Sequence, residues 1–503
     1  MWFNQNHQYY LRKFSLTFLG VAFVFGLILL TTGCGGAAAT NTSGGGGGGM
    51  LFGAPATTPL QVWVGAEPTD RILCMQLQVS SIQLKKSADA NATNYLLGAN
   101  GLELTRLAAT YTPVAVADVI PDTFDQLEMD VSGARVTYLD ANGVVQEKDV
   151  TANQSSLLAL SPAVTVGEIP TMLSINVDIE QTVQVDPVNN VVTLNAPVIS
   201  ATQSDIPSAV GPAPSAVKTG PKAMSAAASN QGQIERVVGQ VMAASSDQFS
   251  LQVGQSNSGL TLHTDANTAI ENATPDTLNG MLVSVEGRAL ADGTLYASEV
   301  EAMLADTGAE VEGTLGGLNK SGLMDLVAED GIGAGMTSDL VGAKISVVLD
   351  SASYGINLGN EDMGGLPVLF DESHIAAGQR IEVESDQGLQ ADWAGNAAQI
   401  QPFMVELLRQ SVKGTVQNYQ AGTGGTAEFD LVLSKGSYLG VVNVGTDTVH
   451  VYQRSTTQAS GGIQNGQNVT VRGFLFCTDS TDSIPPGTTL HFAMVASSIS
   501  GND

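Results

Sequence analysis

The sequence has few basic residues. Its 503 residues include 20 Lys and Arg against 49 Asp and Glu, which gives a formal net charge of −29. A chain with this excess of acid is repelled by phosphate backbones and has no basic stripe to overcome the repulsion, so we expect no nucleic-acid partner. A peripheral hold on anionic lipid headgroups is disfavoured for the same reason.

Cysteine is equally scarce, with Cys34, Cys74 and Cys477 in the whole chain. Three cysteines exclude a disulfide framework. Cys74 and Cys477 each lie in an apolar, strand-like run. Because a free thiol packs as a small hydrophobe, we predict that both are buried and unpaired.

Motifs that carry catalysis or bind metal are absent. The histidines beyond residue 33 have no second His or Cys at metal-ligand spacing, and they are His263, His374, His450 and His491. The sequence has no Gly-x-Ser-x-Gly elbow, no His-Glu-x-x-His and no Asp-x-Asp-x-Asp-Gly calcium loop. We therefore expect no catalytic residue, no cofactor and no metal ion.

Two pairs of glutamates have a spacing that resembles a metal-binding or catalytic site. Glu310 with Glu312, and Glu382 with Glu384, alternate along strands and so share one strand face. Such spacing would suit a cation or a glycosidase pair. In so acidic a chain, a solvated strand face is the simpler interpretation, and it is the one we adopt.

Aromatic platforms for stacking a sugar are also few. Beyond residue 33 the tryptophans are Trp63 and Trp393. Trp63 falls on the strand face opposite Val62 and Val64, where it would be either a lid on a core or an exposed contact.

The N-terminal region contains a secretion signal. Arg12 and Lys13 precede an uncharged apolar run from Phe14 to Leu30, which leads into Leu30-Thr-Thr-Gly-Cys34. This stretch resembles a bacterial lipoprotein cleavage site, although Thr31 stands where that family usually has leucine. The resemblance implies a signal peptide at residues 1–33, cleavage before Cys34 and lipidation of Cys34. An uncleaved transmembrane anchor is the alternative.

Residues 34–59 are rich in Gly, Ala, Thr and Ser, which predicts a flexible tether. Residues 60–200 then show strand-like alternation, most clearly from Ile72 to Leu84, and Asp140-Ala-Asn-Gly143 is a hairpin turn signal. Helical periodicity is weak, so we predict a β-sandwich. The order of these segments, with Val119-Ile-Pro-Asp-Thr-Phe124 between them, resembles an uncharacterised domain found after the lipid anchor of many bacterial lipoproteins.

An Ala, Ser and Pro-rich linker is predicted at residues 201–233, and the chain beyond it repeats. Val238-Gly-Gln-Val241, Glu312-Gly-Thr-Leu315 and Lys413-Gly-Thr-Val416 each open a similar series of strands. We predict three small β-barrel modules at 234–304, 308–405 and 409–500, with glycine where strands bend. They resemble a second uncharacterised bacterial family of tandem OB-like barrels, and the first module is the best match. The fold class is therefore all-β.

These observations favour a lipid-anchored cell-envelope protein that acts as a non-catalytic spacer and binding surface for a macromolecule outside the inner membrane. The expected partners are the membrane, through the lipidated N-terminus, and an unidentified envelope protein or polysaccharide. Gly35 and Gly36 lack the aspartate that retains lipoproteins at the inner membrane, so we expect the outer membrane. An enzyme acting on envelope polysaccharide and a structural subunit of a surface assembly are the alternatives.

Overall fold

The computed structural model describes residues 56–98, 100–206, 232–253, 259–302, 308–318, 323–333, 340–350, 352–356, 363–391, 398–443, 445–459, 461–481 and 489–501. It is all-β, with an N-terminal sandwich followed by small barrels, so the predicted fold class is confirmed. No helix within these ranges has the length and apolar character needed to cross a bilayer. The signal peptide, Cys34, most of the tether, most of the linker and Trp393 lie outside the described residues.

The sandwich consists of two sheets. Their strands are β1 (Thr58–Ala66), β2 (Ile72–Lys86), β3 (Asp89–Leu97), β4 (Asn100–Glu103), β5 (Tyr111–Val119), β6 (Asp122–Leu139), β7 (Val145–Val166), β8 (Thr171–Asp178) and β11 (Val198–Asp205). One sheet has the order β11-β8-β1-β5, and the other has the order β3-β2-β6-β7 with β4 paired to β2. Helix α1 (Ile179–Thr182) and the hairpin of β9 (Val183–Asp186) and β10 (Val191–Leu194) connect β8 to β11.

The sandwich core follows the strand alternation, with one informative departure. Met75, Leu77 and Val79 point into the core between the sheets. The register of β2 against β6 shifts between Ile72 and Cys74, so Leu73 and Cys74 leave that core and are buried on the other side of the sheet. Cys74 and Cys477 are both buried and free, as the sequence predicts.

The first module is a closed barrel of five strands with a sixth strand beside it. The module contains β12 (Gln233–Ala244), β13 (Gln248–Val253), β14 (Gly259–His263), β15 (Ala269–Glu271), β16 (Leu282–Ala289) and β17 (Leu295–Ala302). The path β14-β13-β12-β16-β17 closes through parallel pairing of β14 with β17, and β15 is added beside β17.

The third module repeats this topology. It contains β26 (Arg409–Ala421), β27 (Ala427–Leu433), helix α2 (Tyr438–Val442), β28 (Thr448–Ala459), β29 (Asn468–Cys477) and β30 (Phe492–Gly501). The closed barrel runs β26-β27-β28-β30-β29, and β28 pairs with β30 in parallel.

The second module has the same order, but its last strand is interrupted. Its strands are β18 (Ala309–Leu318), β19 (Met324–Gly333), β20 (Lys344–Val347), β21 (Ser353–Ile356), β22 (Arg380–Ser385), β23 (Gln390–Ala391), β24 (Ala398–Ile400) and β25 (Met404–Leu407). β24 pairs with β20 in parallel and β25 pairs with β22, so the two segments together occupy the closing position. Pro402 lies between them and has no backbone N–H for a ladder.

The repeated glycines stand where neighbouring strands approach closely. A Cβ on Gly239 would lie 2.3 Å from the carbonyl oxygen of Gln252. Its equivalents Gly313 and Gly414 would have Cβ atoms 2.0 and 2.5 Å from a carbonyl oxygen on the next strand. The first strand of each barrel therefore needs glycine at this position.

The sandwich and the modules share hydrophobic cores. Trp63 is 0% exposed and packs, with Tyr111 and Met172, into the core of the first module. Its indole Nε1 donates to Gln61 Oε1 at 3.1 Å, and Gln61 Nε2 donates to the carbonyl of Gly293 at 3.0 Å. Phe474 and Phe476 of the third module belong in the same way to the core of the second. The sandwich is therefore packed against the first module, and the second module is packed against the third.

Replacing Trp63 tests this shared packing. Trp63→Ala should lower the free energy of unfolding by about 3–5 kcal/mol, because it leaves a large cavity between two bodies. Hydrogen exchange followed by mass spectrometry should show faster exchange in both β1 and the strands of the first module. Leu60→Ala is the matched control, since Leu60 lies on the same strand but faces the sandwich core. Unchanged exchange in the first module of Trp63→Ala would contradict the shared core.

Candidate functional site: a buried charge cluster

A cavity of about 300 Å³ lies where the sandwich and all three modules meet. Its lining is dominated by charged side chains from every body: Arg106 from the sandwich; Arg236, Glu286, Glu299 and Glu301 from the first module; Glu312, Arg380, Glu382, Glu384 and Glu406 from the second; and Arg409 and Arg472 from the third. We call the space that these residues line the junction cavity.

Strand register gathers the carboxylates of the second module. Glu312, Glu382 and Glu406 are direct partners across β18, β22 and β25, and Glu310 is the partner of Glu384 in the adjacent row. Residues opposite each other on paired strands share a face. The three strands therefore present a compact acidic surface toward the first module.

Arg236 occupies the centre of that surface. The carboxylate oxygens of Glu310, Glu312 and Glu382 lie within 4.8 Å of one another, a spacing that could hold a metal ion. The guanidinium of Arg236, from β12 of the first module, pairs with all three, and its Nη1 is 2.6 Å from Glu312 Oε1. These carboxylates thus surround a protein cation, which joins the first module to the second.

Two further arginines extend the network. Arg380 Nη2 is 2.6 Å from Glu312 Oε2, and Arg380 Nε is 2.6 Å from Glu329 Oε2. Arg106 of the sandwich pairs with Asp330 of the second module at 3.0 Å. Arg380 Nη1 also donates to the carbonyl of Arg409 at 3.2 Å, which connects the second module to the third.

The electrostatics divide the carboxylates into two groups. Burial alone would raise the pKa of Glu312, but Arg236 and Arg380 outweigh it and hold that pKa at about 2. Glu384 has the opposite balance: burial, followed by repulsion from Glu382, Glu406 and Glu301, raises its pKa to about 7. Burial also raises the pKa of Glu301 and Glu406. Glu312 is therefore held ionised by its two arginines, whereas the pKa of Glu384 lies near neutral pH.

The structure corrects our interpretation of the glutamate pairs. Glu310, Glu312 and Glu382 are buried in ion pairs, and Glu384 is half-buried, so a solvated strand face is wrong for both pairs. The alternation showed that each pair shares a face, but it could not show that another module covers that face. Sequence reasoning missed Arg236 and Arg380, for which the available signal is an arginine inside an apolar strand of a chain that has few bases.

The other residues that the sequence singled out do not come together. His374 pairs with Asp371 at 2.7 Å, His450 with Asp430 at 2.9 Å and His491 with Asp479 at 2.9 Å. Each of these contacts joins two residues of the same module. His263 lies on β14 of the first module. Trp63 is a lid, and the core that it covers is that of the first module.

Comparison with known proteins gives one family match. Residues 238–301 match a domain of unknown function (DUF5666). This range lies within the first barrel and confirms its resemblance to an uncharacterised family. No curated protein matches the chain.

Solved structures with some likeness have low scores. A deletion mutant of the single-stranded DNA binding protein from Thermus aquaticus is 14% identical, covers 39% of this chain and 95% of its own, and has a TM-score of 0.14. Drosophila Unr CSD456 is 10% identical, covers 48% and 91%, and has a TM-score of 0.11. A Streptococcus pneumoniae multidomain protein with nucleic acid binding domains is 11% identical, covers 52% and 72%, and has a TM-score of 0.10.

These neighbours contradict our expectation about partners. Net charge led us to exclude nucleic acid, yet the names of two of the three proteins refer to nucleic-acid binding. Our exclusion of nucleic acid as a partner is therefore wrong. All the TM-scores are below 0.5, so no ligand is transferred from them to this chain.

Arg236→Met tests the role of the central guanidinium. It leaves Glu310, Glu312 and Glu382 buried without their shared cation, so the free energy of unfolding at pH 7 should fall by about 3–5 kcal/mol. Chemical denaturation followed by circular dichroism measures the loss. Arg288→Met is the matched control, because Arg288 is exposed on a neighbouring strand of the same module. Equal losses in the two variants would contradict the role of Arg236.

Glu384→Gln tests the protonated group. Folded Glu384 keeps its proton up to about pH 7, whereas the unfolded chain loses it near 4.5, so its ionisation lowers stability as pH rises through that window. Glu384→Gln should be more stable than the wild type by about 1–2 kcal/mol at pH 8 and equal to it below about pH 4.5. Glu299→Gln, an exposed change across the cavity, is the control. A constant difference at every pH would contradict a raised pKa.

Proposed function

We propose that this chain is a lipid-anchored, non-catalytic protein of the bacterial cell envelope, a rigid spacer and binding surface for a macromolecule outside the inner membrane. The anchor part of the proposal depends on the N-terminal sequence. Arg12 and Lys13, the apolar run to Leu30 and the small residues before Cys34 together have the form of a lipoprotein signal. Several acyl chains on Cys34 would hold the protein on a bilayer durably.

The rigid part of the proposal is supported by the packing between bodies. Four bodies joined by flexible linkers would move independently, whereas these share hydrophobic cores through Trp63 and Phe474. A spacer that keeps a fixed shape presents its outer surface in a constant orientation. Ligand contacts can then be made without the entropy cost of first ordering the modules.

The observation that carries the non-catalytic part is the pairing within the junction cavity. Glu310, Glu312, Glu382 and Glu329 are engaged by Arg236 and Arg380, and Asp330 is engaged by Arg106. A catalytic pair needs groups free to exchange protons with substrate. These groups are instead committed to ion pairs within and between the bodies, so we assign the ion-paired part of the cluster to assembly and place binding on the outer surface.

Cys34→Ser tests the anchor. The wild type, made in a bacterial host, should lose the mass of residues 1–33, gain acyl chains and sediment with the membrane fraction. The variant should lack the acyl mass and leave that fraction. Intact mass spectrometry and fractionation measure both properties, and Cys477→Ser, a change at a buried cysteine of the third module, is the control. If the wild type and Cys34→Ser behave alike, the lipoprotein part of the proposal fails.

A further inference from the structure

The first module contributes an acidic wall of its own to the junction cavity. On β16 and β17, Glu286 is the partner of Glu299, and Ser284 is the partner of Glu301. Partners on paired strands share a face, as do residues two apart along one strand. All four line the cavity. Carboxyls of the first module therefore face the acidic surface of the second module across this space.

Three carboxyls in the cavity have no cation of their own. Among the described residues, Glu301 of the first module and Glu384 and Glu406 of the second take part in no ion pair. We call these three the unpaired carboxyls. Burial raises the pKa of each, and repulsion from Glu382 adds to the rise despite the nearby Arg236. A bound cation would remove this repulsion.

The sign of the cavity agrees with a cation. Its lining contains seven glutamates against five arginines, an excess of two negative charges when all are ionised. Three of these arginines, Arg106, Arg236 and Arg380, are already engaged by carboxylates. An anion would meet the remaining acidic walls, so the cavity favours a positively charged ligand.

Two buried hydroxyls in the same cavity have no partner. Thr112, on the sandwich side, is 8% exposed, and its Oγ1 has no hydrogen bond. Ser284 is 9% exposed, and its hydroxyl bonds to no described residue. Both line the cavity, and Ser284 is the neighbour of Glu301. A buried hydroxyl without a partner is costly, and its oxygen can accept a hydrogen bond from a ligand.

Size and spacing favour an organic cation over a metal ion. Among the described residues, only Glu310, Glu312 and Glu382 bring three ligand oxygens within 4.8 Å of one another, and that set already holds the guanidinium of Arg236. The unpaired carboxyls do not converge in this way. The volume of about 300 Å³ is at the lower end for small-molecule sites. The cavity therefore suits a cation with several separated N–H donors.

We propose that the junction cavity binds a small aliphatic polyamine, with one ammonium group among Glu301, Glu384 and Glu406 and another at Glu299. Glu299 is exposed and lies two residues from Glu301 on β17, a separation of about 7 Å along a strand. A short alkyl chain places two ammonium groups at such a distance. Each ammonium donates charge-assisted hydrogen bonds to the carboxylates. This ligand is additional to the macromolecule of the proposed function.

Calorimetric titration of the full chain, in detergent, with spermidine tests the site. Sodium chloride at about 0.15 M screens attraction to exposed acids. The wild type should show saturable binding. Glu301→Gln and Glu406→Gln, on opposite walls, should each raise the dissociation constant about tenfold or more, because each removes a charged acceptor. Asp276→Asn is the matched control, an exposed acid of the first module outside the cavity.

Absence of saturable binding by the wild type would overturn the proposal. So would an equal loss of affinity in Asp276→Asn and Glu301→Gln, since the amine would then respond only to net charge. Titration with calcium chloride distinguishes a metal ion: calcium binding tighter than spermidine, and weakened by the same two variants, would also overturn it. The lipid anchor has no part in these measurements, so they are independent of the anchor assignment.

The pH dependence of affinity provides a second readout. The pKa of Glu384 is raised to about 7, so this carboxyl ionises between pH 6 and pH 8, while aliphatic amines stay protonated. Spermidine should therefore bind more tightly at pH 8 than at pH 6. The charged groups around Glu384 are Glu301, Glu310, Glu382, Glu406 and Arg236. An affinity that is constant across this range would contradict binding at the unpaired carboxyls, because exposed acids are ionised throughout it.

Discussion

The arrangement of the bodies depends on ion pairs that are shared between them at the junction cavity. Glu312 is held between Arg236 of the first module and Arg380 of its own, and Arg106 brings the sandwich to Asp330. Removing these charges from water is costly, and the cost is recovered only when every partner is in place. A module docked in another orientation would leave carboxylates buried without a cation. We therefore assign specificity of docking to this network, while the hydrophobic cores supply most of the stability.

Because the bodies share hydrophobic cores and ion pairs, they are not independent modules. Tandem modules in a sequence suggest beads on a string, and the second and third barrels do repeat the topology of the first. Yet the core of the first module contains Trp63 of the sandwich, and the core of the second contains Phe474 of the third. Loss of one body would expose apolar surface on its neighbour, so we regard the sandwich and barrels as one unit.

The sequence predicted the class of fold and the repeat because alternation and glycine placement are local properties. The apolar residues that alternate along β2 are the ones that face the core in the structure. Gly239 and its equivalents each lie where the first strand of a barrel approaches the backbone of the next strand. β7 was missed, because its register against β6 shifts at 152–153 and again at 160–163, which breaks the period that identifies a strand. Docking was also missed, since nothing local shows that Trp63 or Glu312 meets another module.

The placement of arginine also decides where this protein can meet a partner. Arg106, Arg236, Arg380 and Arg472 are largely buried at the junction cavity, so four of the few bases are withdrawn from the surface. They are buried together with at least as many carboxylates, among them Glu310, Glu312, Glu329 and Glu382, so the outer surface keeps about the acidic balance that the composition implies.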